Sequence, residues 1–439
     1  MLTATELAAA VRGGSVGPFD VVADALKRIS RQTNGIDLFQ TVRGDSALAA
    51  ACALTDRADL AELPLAGVPI AVKESDGDVV ERIRGAGAIV VGQTRTTELD
   101  VWTTSDTAEA IVRNPWVPTF TAGGSSAGSA AAVASGLVPI AHGIDTFGSL
   151  CASAATCGVV GITPGDGTVR ARDSRDWSAT YTHGSLAATV SDVALLLSVL
   201  AERPELRAIA EPTALRIAVS MASLTRKTVP AEFITAVVQA AQSLTEAGHR
   251  VQPATPNYGN IAPAIFTRWL AGPRQPFGNS VLEPRTRTHL RFGRLVRPMH
   301  IVSEGSERAW VARAQRFFAD HDVLITPTLA CLPALAERWS EKSWLANTAS
   351  AVALTPFLAP WRLAGFPTIS IPVGRHPSGL PIGAQLVAAP GNESALLSVA
   401  AQLERRNPWP HTVLEGPRPA RATANTWPTF GLVGEPYRV

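Results

Sequence analysis

Between Gly123 and Gly161 the chain becomes dense in Gly, Ser and Ala, and this stretch constrains the fold more than any other. Residues with little bulk serve either as a flexible linker or where elements pack tightest. Apolar runs flank the stretch on both sides, which excludes a linker. Its first part, Gly-Gly-Ser-Ser-Ala-Gly-Ser over 123–129, could cradle an anion at a helix N-terminus. No lysine completes the GxxxxGK[ST] phosphate-loop pattern. Residues 129–135 are predicted to form a tightly packed helix and 138–141 a strand. Gly-Ile-Asp-Thr-Phe-Gly-Ser over 143–149 then reads as a tight turn ending in an exposed serine. Backbone N–H groups on such a turn can converge on one point, as an oxyanion hole requires. The pattern is not the GxSxG elbow of α/β-hydrolases.

The rest of the chain has the rhythm of an α/β sheet. Helices are predicted from Thr3 or Thr5 to Gly13, over 18–31 and over 46–63. Strands follow at 65–72 and 87–91. A helix over 191–201, a strand over 215–219, a helix over 232–247 and a new strand after Gly248 continue the alternation. A helix over 309–320 leads into a strand over 323–326. Strands over 367–373 and 382–387 and a helix over 392–403 complete it. Length alone sets a starting expectation of about three domains. No repeat, linker or composition break divides the chain, so one domain is expected.

Composition excludes several function classes. Hydrophobic residues make up 46% and charged residues 17%, the opposite of a disordered chain. A formal net charge of +2 offers no field to attract nucleic acid or an acidic membrane. The longest apolar runs are broken by Gly, Pro or Ser and fall short of the ~20 residues of a membrane span. The N-terminal MLTATELAAAVRGG lacks the basic-then-apolar order of a signal peptide, so a cytoplasmic setting is expected. Cys52, Cys151, Cys157 and Cys331 show neither a CxxC pair nor zinc-site spacing. They are expected to be small buried hydrophobes. Arg285, Arg287, Arg291, Arg294 and Arg297 alternate with Leu290, Phe292, Leu295 and Val296, as on the solvated face of an amphipathic helix. His142 is expected to be a hydrogen-bonded core histidine.

The chain has four lysines: Lys27, Lys73, Lys227 and Lys342. Lys73 ends the apolar run AGVPIAVK. Burial there would lower a lysine pKa from ~10.4 and make the amine a proton acceptor. The alternative is a strand-end lysine that reaches to water.

Several motifs occur in order along the chain: GVPIAVKE around Lys73, NPW at 114–116 and GGSSAGSAAAVASGLVPIAHGIDTFGS at 123–149. CGVVGITP follows at 157–164, DVLITPT at 322–328, and LAGFPTISIPVG with GLPIGAQLVA across 363–388. In these the sequence resembles the amidase-signature family of serine hydrolases, over about residues 65–410. The resemblance implies one α/β domain over 1–439, with a large mixed twisted β-sheet flanked by helices on both faces. Residues 1–64 would be N-terminal helices and 405–439 a Pro-rich tail on the surface. It implies hydrolysis of a carboxylic amide to an acid plus ammonia or an amine. Ser149 matches the nucleophile. Ser125, after a cis Gly124–Ser125 bond, matches the bridging serine, and the 24-residue spacing of the two serines fits. Lys73 matches the base, acting in its neutral form. Backbone N–H groups of Thr146, Phe147, Gly148 and Ser149 match the oxyanion hole. No metal or organic cofactor is implied. The expected partner is a small-molecule amide, with no nucleic acid or membrane, and the chain is expected to be a monomer or homodimer. The same acyl-enzyme would serve a biosynthetic acyl transferase or a glutamine amidotransferase-type subunit, and a degenerate binding homologue could retain its residues.

The family pattern is broken at three places. The common DTGGS is DTFGS here, and Phe147 has a Cβ that opposes a positive φ; its ring otherwise narrows the acyl pocket. Cys151 stands where the family favours an arginine, so a buried ion pair is expected to be missing. The 52-residue spacing from Lys73 to Ser125 is short, which predicts a more open site.

Overall fold

A computed structural model describes residues 2–32, 37–74, 76–107, 109–171, 181–225, 228–273 and 282–415. The end of the Pro-rich tail, from 416, and Lys227 lie outside the described residues. Eleven strands form one sheet: β1 (Phe39–Val42), β2 (Pro69–Val72), β3 (Ile89–Thr94), β4 (Ile140–Thr146), β5 (Val160–Thr163), β6 (Tyr181–Ala187), β7 (Arg216–Val219), β8 (Arg250–Pro253), β9 (Val323–Pro327), β10 (Thr368–Arg375) and β11 (Pro381–Val387). Their order is β1-β3-β2-β4-β6-β5-β10-β11-β9-β7-β8. The sheet is mixed: β4 runs parallel to β2 and antiparallel to β6. The expected architecture is therefore present.

Side-chain alternation along the strands divides the core into two layers. Ile70 and Val72 of β2 enter one apolar cluster and Ala71 the other; Ile140 and Ala141 of β4 divide the same way. Helices Val190–Leu200 and Glu393–Arg406 cover the first face with long aliphatic side chains. On the second face lie Ala127–Ala134 and Ser149–Cys157, in which every residue is buried. The Gly-Ser-Ala stretch thus makes two central helices that have no solvent side. At Gly128 a Cβ would fall 2.6 Å from the Arg95 carbonyl and 2.7 Å from that of Leu38, so nothing larger than glycine fits.

Several boundaries differ from expectation. The helix expected over 46–63 is Gly44–Thr55. It stops where Arg57 and Asp59 pair with each other at 2.6 and 2.8 Å. The stretch 1–64 is not all helical, because β1 joins the sheet edge beside β3. The turn expected over 143–149 is mostly strand: β4 pairs with β6 from Ile140 opposite Ala187 to Thr146 opposite Tyr181. The bend itself is confined to Phe147 and Gly148. Cys151 and Cys157 are buried as expected, whereas Cys52 is exposed. Helix Pro284–Val296 exposes Arg287, Arg291 and Arg294, but Arg285 is buried. Its guanidinium bonds Glu283, Asp106, Thr104 and Asn347. Among the described residues no helix is long and apolar enough to cross a membrane.

Among the buried histidines, His142, His183 and His289 have lowered pKa values. His142 Nε2 lies 2.9 Å from His183 Nδ1, which bears out the core reading of His142. His289 Nδ1 accepts from the Trp344 indole at 3.3 Å, while Nε2 faces the Trp269 carbonyl at 3.1 Å. That pairing requires the neutral imidazole. Burial lowers all three pKa values, those of His183 and His289 to about 4. The unfolded chain binds these protons near pH ~6.5 and the folded chain only at lower pH, near 4 for His183 and His289, so stability is lost as pH falls through that window. Glu404, raised to about 7 by burial, opposes this in part: its contribution is lost as pH rises. Melting curves from pH 7 to 4.5 should show falling stability. His289→Gln should flatten the slope by up to about 1.4 kcal/mol per pH unit; an unchanged slope would refute the assignment.

Candidate active site

The end of β2, the N-terminal side of helix Ala127–Ala134 and the bend after β4 meet at one point. Lys73 follows β2 and is only 2% exposed. A buried ammonium must have all its donors satisfied. Lys73 Nζ lies 2.7 Å from Ser125 Oγ, 2.8 Å from Asp100 Oδ1 and 3.4 Å from the Ile144 carbonyl. It therefore does not reach to water. Ser125 follows a cis Gly124–Ser125 bond, and its hydroxyl donates to Ser149 Oγ at 3.1 Å. Lys73, Ser125 and Ser149 thus form one unbroken line.

Ser149 begins helix Ser149–Cys157, and Gly148 is its N-cap with φ 92°. A Cβ on Gly148 would fall 2.3 Å from that of Leu358. The first N–H groups of a helix have no partner within it, and those of Gly148 and Ser149 are at that position here. The Thr146 N–H donates to Ser149 Oγ itself at 3.1 Å. Phe147 takes a φ of 59° despite its Cβ, at a cost of roughly 1–2 kcal/mol. Its ring offsets this by packing against Val101, Trp102 and Ala359. The bend therefore keeps a left-handed path, and the phenyl ring becomes part of a wall.

That wall belongs to a cavity of ≈ 250 Å³ that opens onto Ser149. Trp102, Ile265, Phe266 and Trp269 line it with Phe147, and Asp100 is its acidic residue. Ser149 is 7% exposed and is approached through this space. None of the described residues between 74 and 85 lines the cavity. The short segment after Lys73 instead folds into helix Asp78–Gly85, and Tyr181 donates to Glu74 at 2.8 Å.

Beneath the nucleophile, Asp145 is fully buried. Thr163 donates to it at 2.7 Å, and Ser149 Oγ lies 3.5 Å away. Cys151 replaces the expected arginine with a thiol whose Sγ is 3.5 Å from Thr368 Oγ1. Burial, with Asp145 adding to it, pushes that thiol up to about 12. Arg362, on helix Ala359–Ala364, pairs with Asp166, and its charge is favoured by Asp145 against burial.

Sequence reasoning located Lys73, Ser125 and Ser149 but missed Asp100, Asp145, Arg362 and the aromatic wall. Trp102 and Trp269 lie 167 positions apart in sequence yet pack edge to face at 6.0 Å. No periodicity relates them.

A family model described as Amidase matches residues 74–397. An amidase, AmiB2, of Mycobacterium tuberculosis is 33% identical, over 88% of this chain and 92% of that protein. The 6-aminohexanoate-cyclic-dimer hydrolase of Paenarthrobacter ureafaciens is 30% identical, over 92% of this chain and 95% of that protein. A solved structure of 6-aminohexanoate cyclic dimer hydrolase complexed with substrate superimposes with a TM-score of 0.83 at 26% identity, covering 93% of this chain and 97% of that one. With this match across most of its length, the chain belongs to the amidase-signature family of amide-hydrolysing enzymes.

Proposed function

We propose that this chain hydrolyses an uncharged amide with an apolar or aromatic body, through an acyl-enzyme on Ser149. The observation that carries the reading is the line from Lys73 Nζ to Ser125 Oγ to Ser149 Oγ, at 2.7 and 3.1 Å, opening into an apolar cavity. With both hydroxyls rotated, Ser149 passes its proton to Ser125 as Ser125 passes its own to the neutral Lys73 amine. Ser149 Oγ then attacks the carbonyl carbon. In this reading the N–H groups of Phe147, Gly148 and Ser149 are the donors offered to the developing oxyanion, while the Thr146 N–H, expected among them, is instead bonded to Ser149 Oγ; one oxyanion donor is worth about 10²–10³ in rate. Lys73 returns the proton through Ser125 to the leaving nitrogen, and the C–N bond breaks. Water attacks the ester by the same route and releases the acid, restoring Ser149.

The aromatic walls favour this substrate class over glutamine. Glutamine carries both an ammonium and a carboxylate, which demand charged partners when desolvated. The cyclic amide named for the relatives is likewise an uncharged amide with methylene stretches.

Product release should be measured from hexanamide, hexanoyl 4-nitroanilide and glutamine. The two apolar amides should be hydrolysed and glutamine not. Ser149→Ala should lose about 10³-fold or more in kcat. Ammonia from glutamine alone, or full activity in Ser149→Ala, would refute the reading. Phe147→Gly frees the space of the ring and accommodates its φ. It should raise the ratio of kcat/KM for a branched acyl anilide over the hexanoyl one by about tenfold. An unchanged ratio would remove Phe147 from the acyl pocket.

A further inference from the structure

Asp100 sits on a backbone shape that ordinary side chains rarely adopt. Leu99 and Asp100 follow one another with φ values of 52° and 59°. Two successive left-handed residues cost of order 1–3 kcal/mol each and persist only where surrounding bonds hold them. Those bonds are present. Asp100 N–H donates to the Thr97 carbonyl at 3.1 Å. Its carbonyl accepts from the Thr146 hydroxyl at 3.0 Å, tying it to the bend that carries the nucleophile. Thr96 Oγ1 lies 2.7 Å from Asp100 Oδ1 and 2.9 Å from the Ser125 carbonyl. The turn thus touches all three parts of the relay and brings a carboxylate 2.8 Å from Lys73 Nζ, at the inner wall of the cavity.

We infer that Asp100 is a positioning residue for Lys73: it holds the amine on the Ser125 hydroxyl and sets the pH at which the relay runs. The inference rests on Lys73 being the base. Other ionisable groups also face Lys73. His142 of β4 and His183 of β6 lie close enough to feel its charge, Asp145 is also on β4, and Glu74 is its neighbour in sequence. Asp78 and Arg82 lie on helix Asp78–Gly85. His142 and His183 are kept uncharged by burial. Asp100 is a carboxylate in direct contact with the amine. A negative charge at this distance favours the ammonium, so its removal lets the amine accept a proton at lower pH.

The test uses a fluorophosphonate, which reacts with an activated serine whatever the natural substrate. The rate of Ser149 labelling is followed by intact mass across pH in wild type, Asp100→Asn, Asp100→Glu and Lys73→Met. The acid limb of the rate profile should move down by about one pH unit in Asp100→Asn. Its plateau should fall by about tenfold as the amine loses its seat. Asp100→Glu keeps the charge but displaces it, so its limb should stay near that of wild type while its plateau falls. An Asn limb that does not move would overturn the inference, as would a Glu variant that follows Asn. Should Asp100→Asn not fold, a shifted limb in Asp100→Glu would be decisive against it. Labelling of Lys73→Met at the wild-type rate would instead sink the reading of Lys73 as base.

Discussion

A lysine amine is buried in the middle of this protein, and the surrounding structure is organised to make that tolerable. An ammonium removed from water costs several kcal/mol unless it is paired and hydrogen-bonded. Lys73 is paired with Asp100 and bonded to Ser125 Oγ and the Ile144 carbonyl. These groups come from the turn after β3, the approach to helix Ala127–Ala134 and the interior of β4. The amine therefore ties three separate segments together, and the serine next to it inherits their rigidity.

Small residues make that convergence possible. Helices Ala127–Ala134 and Ser149–Cys157 lie directly on the sheet and on each other, and backbones can approach so closely only where side chains are nearly absent. The same crowding explains Gly128 and Gly148, where a Cβ would overlap a neighbouring carbonyl or Leu358. Phe147 is the exception. It takes a glycine-like conformation and repays the cost through ring burial. The site accordingly trades an open loop for an aromatic wall, and the cavity takes its chemical character from that exchange.

How much of this was legible in the sequence follows from how local each signal is. Strands β7 and β9 and helices Val190–Leu200 and Ala231–Glu246 are written in contiguous apolar patterns, and they lie where the patterns place them. Strand β6, with His183, Gly184 and Ser185 at its centre, has no such pattern; it is held by its pairing with β4 on one side and β5 on the other. Lys73, Ser125 and Ser149 were legible because their motifs are long and ordered, although nothing in Lys73 alone distinguishes a buried amine from a surface lysine. Asp100, Arg362 and Trp269 were not legible. Each acquires its role from a residue far away in the chain, and Asp100 also from two left-handed dihedrals that no residue type announces.

The central claim is that the Lys73–Ser125–Ser149 line generates a covalent acyl-enzyme. Mixing the enzyme in a stopped-flow instrument with excess 4-nitrophenyl hexanoate, with acid-quenched samples taken for peptide mass mapping, tests this directly. The account predicts a burst of one equivalent of 4-nitrophenolate and one hexanoyl group on the peptide carrying Ser149. Both should vanish in Ser149→Ala. Turnover without a burst or adduct, or an acyl group on any other residue, would contradict it.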